Sequence, residues 1–547
     1  MRYQPRSNFW ISGALLFWVV FPVLGRETET ATVEIDARRI VREIPKELFG
    51  VNTPWRWNGT LLWIPATLEY NADVLRHTKA LAPSLVRFPG GTLADYYDWR
   101  KGIGPQKRRP PTSIVPGTGK PEIPTYGTDE ALEFARRIGA RLLIVVNCGT
   151  GTPEMAAEWV RYINVLKAAE HPEYRVTYWE IGNELYHKPG PGQDRVHLTP
   201  EAYARRWLRF EKAMRAVDPD IRIGAIGLHN LGAGRFNSFP RWNETILRSI
   251  GDRIDFFSQH NGYAPVAVAD HVPFERGYRT LLASTKLIEE NLATVTAQIE
   301  RWAPKRADRI PIAVTEWAPL FHAFPRFKWT DHSKTLGSAL FTASMLRTFV
   351  ESPQVGLAMH FKLTDPDFLY LLGIPEGTRV DKTARYRFQP APSYFAFQFF
   401  TRHFGERLVA SRTEVATFSA GGAGWITPVE GAPLLEVTAS LSGDGKRLYL
   451  IAINKSFSAA IQTSVRLRGF EPKGEAVTRT LTGSGLAAYT GTGRVIVPGI
   501  TYEDPIRDPK GSHRDRNVRV RLGKVEAGKV FEYRFPKHSV TSFVFSR

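Results

Sequence analysis

Cysteine is nearly absent. Cys148 is the sole one in 547 residues, so the chain can form no intrachain disulfide. It follows an apolar run, where a small packed thiol is expected. No pair of histidines or cysteines has metal-ligand spacing. Long apolar runs are lacking too: beyond the N-terminus no stretch has the roughly 20 residues needed to cross a bilayer. Low-complexity tracts and short repeats are missing, which excludes solenoids and disordered arrays. No glycine fingerprint for a dinucleotide is present. "PGTGKP" at 116–121 lacks the upstream glycine of a phosphate loop and has Pro121 where Ser or Thr is required. Acidic residues are in deficit: 54 Asp and Glu stand against 73 Lys and Arg, a net charge of +19.

Such a charge suits an acidic partner or a solvated basic surface. The cations are spread along the chain, with mild clusters at 101–120 and 514–529, and this favours the surface. No nucleic acid is expected. The N-terminus carries Arg2 and Arg6, then a nearly wholly apolar stretch at 9–24, then Gly25. That is the pattern of a signal peptide over 1–25, and it implies secretion or a periplasmic location with no stable membrane span after cleavage. An uncleaved anchor is the alternative.

The length allows two or three domains. From 48 to 402 eight short apolar runs alternate with helical patterns: 48–53, 84–88, 141–147, 176–181, 221–226, 255–260, 310–315 and 356–361. Continuous apolar runs suit parallel strands buried on both faces. The segments 128–140, 152–170 and 199–217 read as helices, with Thr128, Thr152 and Thr199 as caps. The expected fold class is α/β, a (β/α)8 TIM barrel at 48–402. A doubly wound open sheet is the runner-up. From 403 to 547 the style changes to period-2 strands, expected at 446–456, 460–470, 493–500, 517–525 and 539–546, which make an antiparallel β-sandwich. The segment 26–47 holds one more strand, expected to pair into that sandwich.

A barrel of this kind carries its chemistry at the C-terminal ends of its strands. There stand Asn52 and Trp55, Arg87, Asn147, Asn183 and Glu184, His260 and Tyr263, Glu316 and Trp317, and His360 with Lys362. Glu184 and Glu316 end buried strands, where an unpaired carboxylate is costly. An ion pair to Arg87 or Lys362 is the structural reading of each. Together they suit glycosidic bond cleavage, one as acid and the other as nucleophile. The acid needs a raised pKa and the nucleophile a lowered one. Arg87 near Glu316 favours the charged form, and Asn183 is placed to donate to a sugar 2-hydroxyl. Trp55, Trp57, Trp63, Trp317, Phe321, Phe324, Phe327 and Trp329 lie in the same loops, and their rings suit sugar faces. A retaining site needs its carboxyls roughly 5–5.5 Å apart, an inverting one about 6.5–9.5 Å. No cofactor and no metal are expected.

"VRFPGGTLADYYDW" (86–99), "VVNCGTGTPEMAAEWVRYIN" (145–164), "YWEIGNE" (178–184) and "TEW" (315–317) resemble glycoside hydrolases of family 51 in clan A. The resemblance covers roughly 48–400, with a trailing β-sandwich similar in kind. It implies a retaining hydrolase acting on oligo- or polysaccharide, most like an α-L-arabinofuranosidase, with Glu184 as acid/base and Glu316 as nucleophile. It also implies sugar-contacting or supporting roles for Arg87, Asn183, His260 and Tyr263. Thr92 stands where the arabinofuranosidases usually have Asn, and "VNTPW" lacks their acidic residue near the first strand. β-Glycanase or β-xylosidase action, endo or exo, and a catalytically inactive glycan-binding protein are the alternatives.

Overall fold

The computed structural model describes residues 29–547 apart from 113–120, 189–195, 229–238, 264–265, 267–271, 323–326, 382–384, 498–500, 502, 504–506 and 513–514. The signal-peptide segment, Phe324 and most of "PGTGKP" lie outside the described residues.

After an N-terminal strand β1 (Glu29–Glu43), eight strands build a cylinder. They are β2 (Gly50–Asn52), β3 (Leu85–Phe88), β4 (Arg141–Val146), β5 (Tyr178–Ile181), β6 (Arg222–Ile226), β7 (Phe256–Gln259), β8 (Ile312–Ala318) and β9 (Val355–His360). Each pairs in parallel with the next, β9 pairs back to β2, and the cylinder closes. Eight helices follow the strands in turn: α1 (Ala72–Leu81), α2 (Thr128–Ile138), α3 (Pro153–Val160), α4 (Pro200–Arg215), α5 (Trp242–Ile250), α6 (Phe274–Trp302), α7 (Leu336–Glu351) and α8 (Pro392–Arg402). All eight apolar runs became barrel strands, since each is shielded by helices outside and by side chains within.

Thr152 and Thr199 cap α3 and α4 with their hydroxyls, each followed by proline at the first helical position. The expected Thr128 cap is corrected. Gly127 is the cap, and its backbone N–H donates to Glu130 Oε2 at 2.9 Å. Thr128 turns inward and accepts from the indole of Trp159. Only glycine fits at 127, because an added Cβ would lie 1.8 Å from the Gly102 carbonyl.

The second unit is a nine-stranded sheet of the β-sandwich domain. Its strands are β1, β10 (Arg407–Val415), β11 (Leu435–Leu441), β12 (Arg447–Asn454), β13 (Ile461–Arg468), β14 (Glu475–Thr482), β15 (Arg519–Glu526), β16 (Val530–Phe535) and β17 (Ser539–Ser546), in the order β15-β14-β17-β12-β11-β10-β1-β13-β16. One ladder, β1 with β13, is parallel. β1 reaches the sheet from before the barrel, free of the hairpin constraint that makes sequential strands antiparallel. Its Ala31, Val33 and Ile35 face the core while Glu34 pairs outward with Arg468. "GRVIVPGI" is also corrected: residues 493–497 form no strand, only an isolated bridge from Ile496 to Arg379, and 498–500 lie outside the described residues.

The helix α7 is buried along nearly its whole length. It stands between barrel and sheet and carries a buried ion cluster. Ser344 donates to Glu436 of β11 at 2.5 Å, Arg347 bonds Glu289 and Glu351 at 2.5 Å, and Lys455 bonds Glu436.

Candidate active site

Alternation along the barrel strands stacks their inward side chains in layers. Leu85, Leu143, Tyr178, Phe256, Ala313 and Leu357 fill one apolar layer. Two residues nearer the C-terminal mouth, the inward positions become Arg87, Val145, Glu180, Ser258, Thr315 and Met359. The polar members of this layer carry the site.

Arg87 is fully buried and serves four acceptors. Its Nε donates to Glu180 Oε2 at 2.7 Å, and its Nη1 to Glu316 Oε1 at 2.8 Å and Asn52 Oδ1 at 3.0 Å. Its Nη2 donates to Asn183 Oδ1 at 2.8 Å. Burial alone pushes the guanidinium down, but Glu180 and Glu316 outweigh it and hold its pKa above the ordinary value.

Glu316 reaches the interior because β8 is irregular. Val314 pairs with Ala358, and the next pair is Trp317 with His360. Three steps on β8 thus match two on β9, the mark of a bulge. Both Thr315 and Glu316 then face inward. Tyr263, in the short pairing of Gly262 and Tyr263 with β8, donates its hydroxyl to Glu316 Oε2 at 3.0 Å.

Glu184 follows the tight turn after β5. Gly182 takes φ 82°, and a Cβ there would lie 2.9 Å from Leu185. The backbone N–H of Asn183 donates to Asp95 at 2.9 Å. Glu184 itself sits at φ 41°, left-handed for a non-glycine residue. Its Oε1 lies 2.8 Å from His260 Nδ1 and 3.6 Å from His187 Nε2. His260 Nδ1 also stands 3.8 Å from Glu316 Oε2, and its Nε2 lies 3.1 Å from Thr315 Oγ1.

The electrostatics differ from the sequence expectation for the acid. Burial raises the Glu184 carboxyl, but the imidazoles of His187 and His260 overcome it and hold its pKa well below the usual range. Burial lowers His260, but Glu316 and Glu184 overcome that and raise it above its ordinary value. The two shifts together favour a proton on the imidazole over one on the carboxylate. One atom each of Glu184, His260 and Glu316 lies within 4.8 Å of the others, close enough to share a cation, although Arg87 already balances Glu316.

Four of the strand-end residues are engaged within the protein. Trp317 is wholly buried, since the bulge turns it outward against Phe349, His360 and Phe397. Trp55 is 1% exposed and stacks on Tyr97 at 5.4 Å. Asn147 binds its own loop: Oδ1 accepts from the N–H groups of Thr150 and Gly151, and Nδ2 donates to the Tyr97 carbonyl and the Thr150 hydroxyl. Asn52 ties Arg87 to the carbonyls of Thr315 and Met359. Among the other loop aromatics, Phe321 and Trp329 stack on each other in the core and Trp63 is buried, whereas Trp57 is half-buried and Phe327 exposed. His360 lies buried with no hydrogen-bond partner for either nitrogen among the described residues, and burial pushes it down to about 3. Lys362 pairs with Asp365.

Sequence reasoning missed Glu180, Thr315, Asp95 and His187. Glu180 had a signal, as the one charged residue within the apolar run 176–181, facing the same way as Tyr178.

Two carboxylates held at a barrel mouth, one gripped by a guanidinium and a tyrosine, the other by imidazoles, define a glycoside hydrolase. Comparison with known proteins points the same way. A family model described as "Alpha-L-arabinofuranosidase 1 domain" matches residues 77–231. The chain is 27% identical over 496 residues to a probable α-L-arabinofuranosidase C of Aspergillus terreus, covering 86% of this chain and 87% of that one. It is 26% identical over 315 residues to an intracellular exo-α-(1→5)-L-arabinofuranosidase of Halalkalibacterium halodurans, covering 54% and 60%. Among solved structures, the α-L-arabinofuranosidase of Thermotoga maritima superposes with a TM-score of 0.73 at 25% identity, over 95% of this chain and all of that one. The family 51 α-L-arabinofuranosidase of Thermotoga petrophila gives 0.74 at 26% identity, over 94% and 100%. The protein is a glycoside hydrolase that resembles family 51.

Proposed function

We propose that the protein is a secreted, retaining α-L-arabinofuranosidase that acts on arabinose-bearing oligo- or polysaccharide. The observation that carries this is the placement of Glu184 and Glu316, with one oxygen of each within 4.8 Å, on the short side of the two glycosidase geometries. The arabinofuranosidase names of the relatives supply the sugar.

In the first step Glu316 attacks the anomeric carbon while the glycosidic C–O bond breaks, and Glu184 passes a proton to the leaving oxygen. In the second, water attacks the glycosyl ester, Glu184 takes the water's proton, and Glu316 departs. Arg87 and Tyr263 each hold one oxygen of Glu316, so its attack angle is set before substrate arrives. Asn183 Nδ2 is buried with no hydrogen-bond partner among the described residues, a donor ready for the sugar 2-hydroxyl. Residues 48–402 form the catalytic unit in this reading, with 26–47 and 403–547 as the sandwich, supported by the pairing of β1 with β10 and β13. Export rests on residues 1–25, and N-terminal sequencing of the mature protein tests it.

The experiment is hydrolysis of aryl α-L-arabinofuranoside, β-D-xyloside and β-glucan substrates by wild type, Glu184→Gln and Glu316→Gln, with the product anomer followed by NMR. Arabinofuranoside turnover with retained configuration, abolished in Glu316→Gln, is expected. Turnover of xyloside or glucan alone replaces the substrate assignment, and an inverted product removes Glu316 as nucleophile.

A further inference from the structure

Thr315 Oγ1 lies 3.0 Å from Glu180 Oε1 and 3.1 Å from His260 Nε2. Glu180 is fully buried, and its other oxygen accepts from Arg87. A carboxylate only accepts, so the single hydroxyl proton of Thr315 points to Glu180. The oxygen then offers a lone pair to Nε2, and Nε2 must carry a hydrogen. On the other side of the ring, Nδ1 faces Glu184 Oε1 at 2.8 Å.

We propose that Glu180 and Thr315 are positioning residues for proton transfer, holding His260 as its Nε2–H form so that the one transferable proton of the site lies between His260 Nδ1 and Glu184. The inference rests on the reading of Glu184 as acid/base. The tautomer decides whether that proton can move. With Nε2 protonated, a proton on Nδ1 belongs to an imidazolium, whose ordinary pKa is about 6.5. With Nε2 bare, the Nδ1 hydrogen belongs to a neutral imidazole and does not leave near neutral pH. On glycosidic cleavage the Nδ1–H bond breaks, Glu184 passes a proton to the leaving oxygen, and His260 is left neutral. Hydrolysis of the glycosyl ester returns a proton from water through Glu184 to Nδ1, and the cycle balances. The charged and titratable groups around the pair are Arg87 from β3, Glu180 from β5, His187 from the loop after it, Glu316 from β8, and Tyr263 after β7.

The test uses the full chain with Thr315→Val, which removes the hydroxyl at similar shape, and Thr315→Ser, which keeps it. Two arabinofuranosides are compared, one with a dinitrophenol leaving group that needs no proton and one with an alkanol that does. Thr315→Val is expected to lose on the order of 10²-fold in kcat/KM on the alkyl substrate, to lose little in kcat/KM on the dinitrophenyl one, and to move the alkaline limb of the kcat/KM pH profile to lower pH. Thr315→Ser restores both. Equal losses on the two substrates, or an unmoved limb, overturn the proposal. Nitrogen-15 NMR of His260 in the wild type, assigned against His260→Asn, decides without any variant at Thr315: a protonated Nε2 supports it and a bare Nε2 overturns it. The same measurement separates the two readings, since a protonated Nε2 in a protein that cleaves no arabinofuranoside upholds the tautomer and removes the substrate.

Discussion

Arg87 Nη1 stands 2.8 Å from Glu316 Oε1, and Nη2 of the same guanidinium stands 2.8 Å from Asn183 Oδ1. One rigid cation from β3 therefore sets both the carboxylate of β8 and the amide beside Glu184. Lysine offers a point charge without the planar fork. Arg87→Lys is expected to lower kcat/KM by roughly 10²–10³-fold and to destabilise the fold, because Glu180 loses its buried partner. Steady-state kinetics and thermal unfolding check both effects.

Tyr263 gives its hydroxyl to the other oxygen of Glu316 at 3.0 Å. A hydrogen bond to a charged group contributes about 1.5–3 kcal/mol. Tyr263→Phe should lower kcat/KM by roughly 10- to 150-fold with the unfolding temperature nearly unchanged, as the ring remains. A fall in stability comparable to that in rate would make the hydroxyl structural.

Glu436 is buried with Lys455, Arg347 and Ser344. Burial raises its carboxyl, but Lys455 and Arg347 outweigh this and hold it below the ordinary value. Burial likewise lowers Lys455 despite Glu436 beside it. The sign is the same for both: the unfolded chain binds more protons, so stability falls as pH falls. The Glu436 contribution is present above about pH 4.5 and is lost as pH drops through its lower folded value. Glu436→Gln is expected to cost about 3–5 kcal/mol at neutral pH by leaving Lys455 unpaired, and to flatten the acid side of the stability curve. Adding Lys455→Met should recover part of the loss. Denaturant unfolding across pH checks all three.

β1 lies between β10 and β13 and supplies Val33 and Ile35 to the core of the sheet. A chain begun at residue 45 leaves two strand edges open. It is expected to aggregate or to melt well below the full chain in calorimetry, although it retains every barrel strand.

The sandwich was legible only in part. β12, β13, β15 and β17 fall within the expected strand segments, but β11, "LEVTASL", is buried on both faces and yet carries Glu436, Thr438 and Ser440. Those polar groups hid it, and their satisfaction depends on partners as distant as Ser344 and Lys455. At the site, Trp55 and Trp317 have the composition of a sugar platform and the packing of a core.

Eight apolar runs spaced by helical periods were enough to specify the barrel, because that pattern has few ways to bury both faces of each strand. The same spacing brought Glu184 and Glu316 to one mouth. Which side chains face that mouth was decided by tertiary structure. The one-residue bulge in β8 turns Glu316 in and Trp317 out, and it arises from pairing with β9, some 40 residues away. The proton state of Glu184 likewise depends on His260, Thr315 and Glu180 from three different strands or strand ends, and hydrogen-bond direction has no counterpart in a linear pattern.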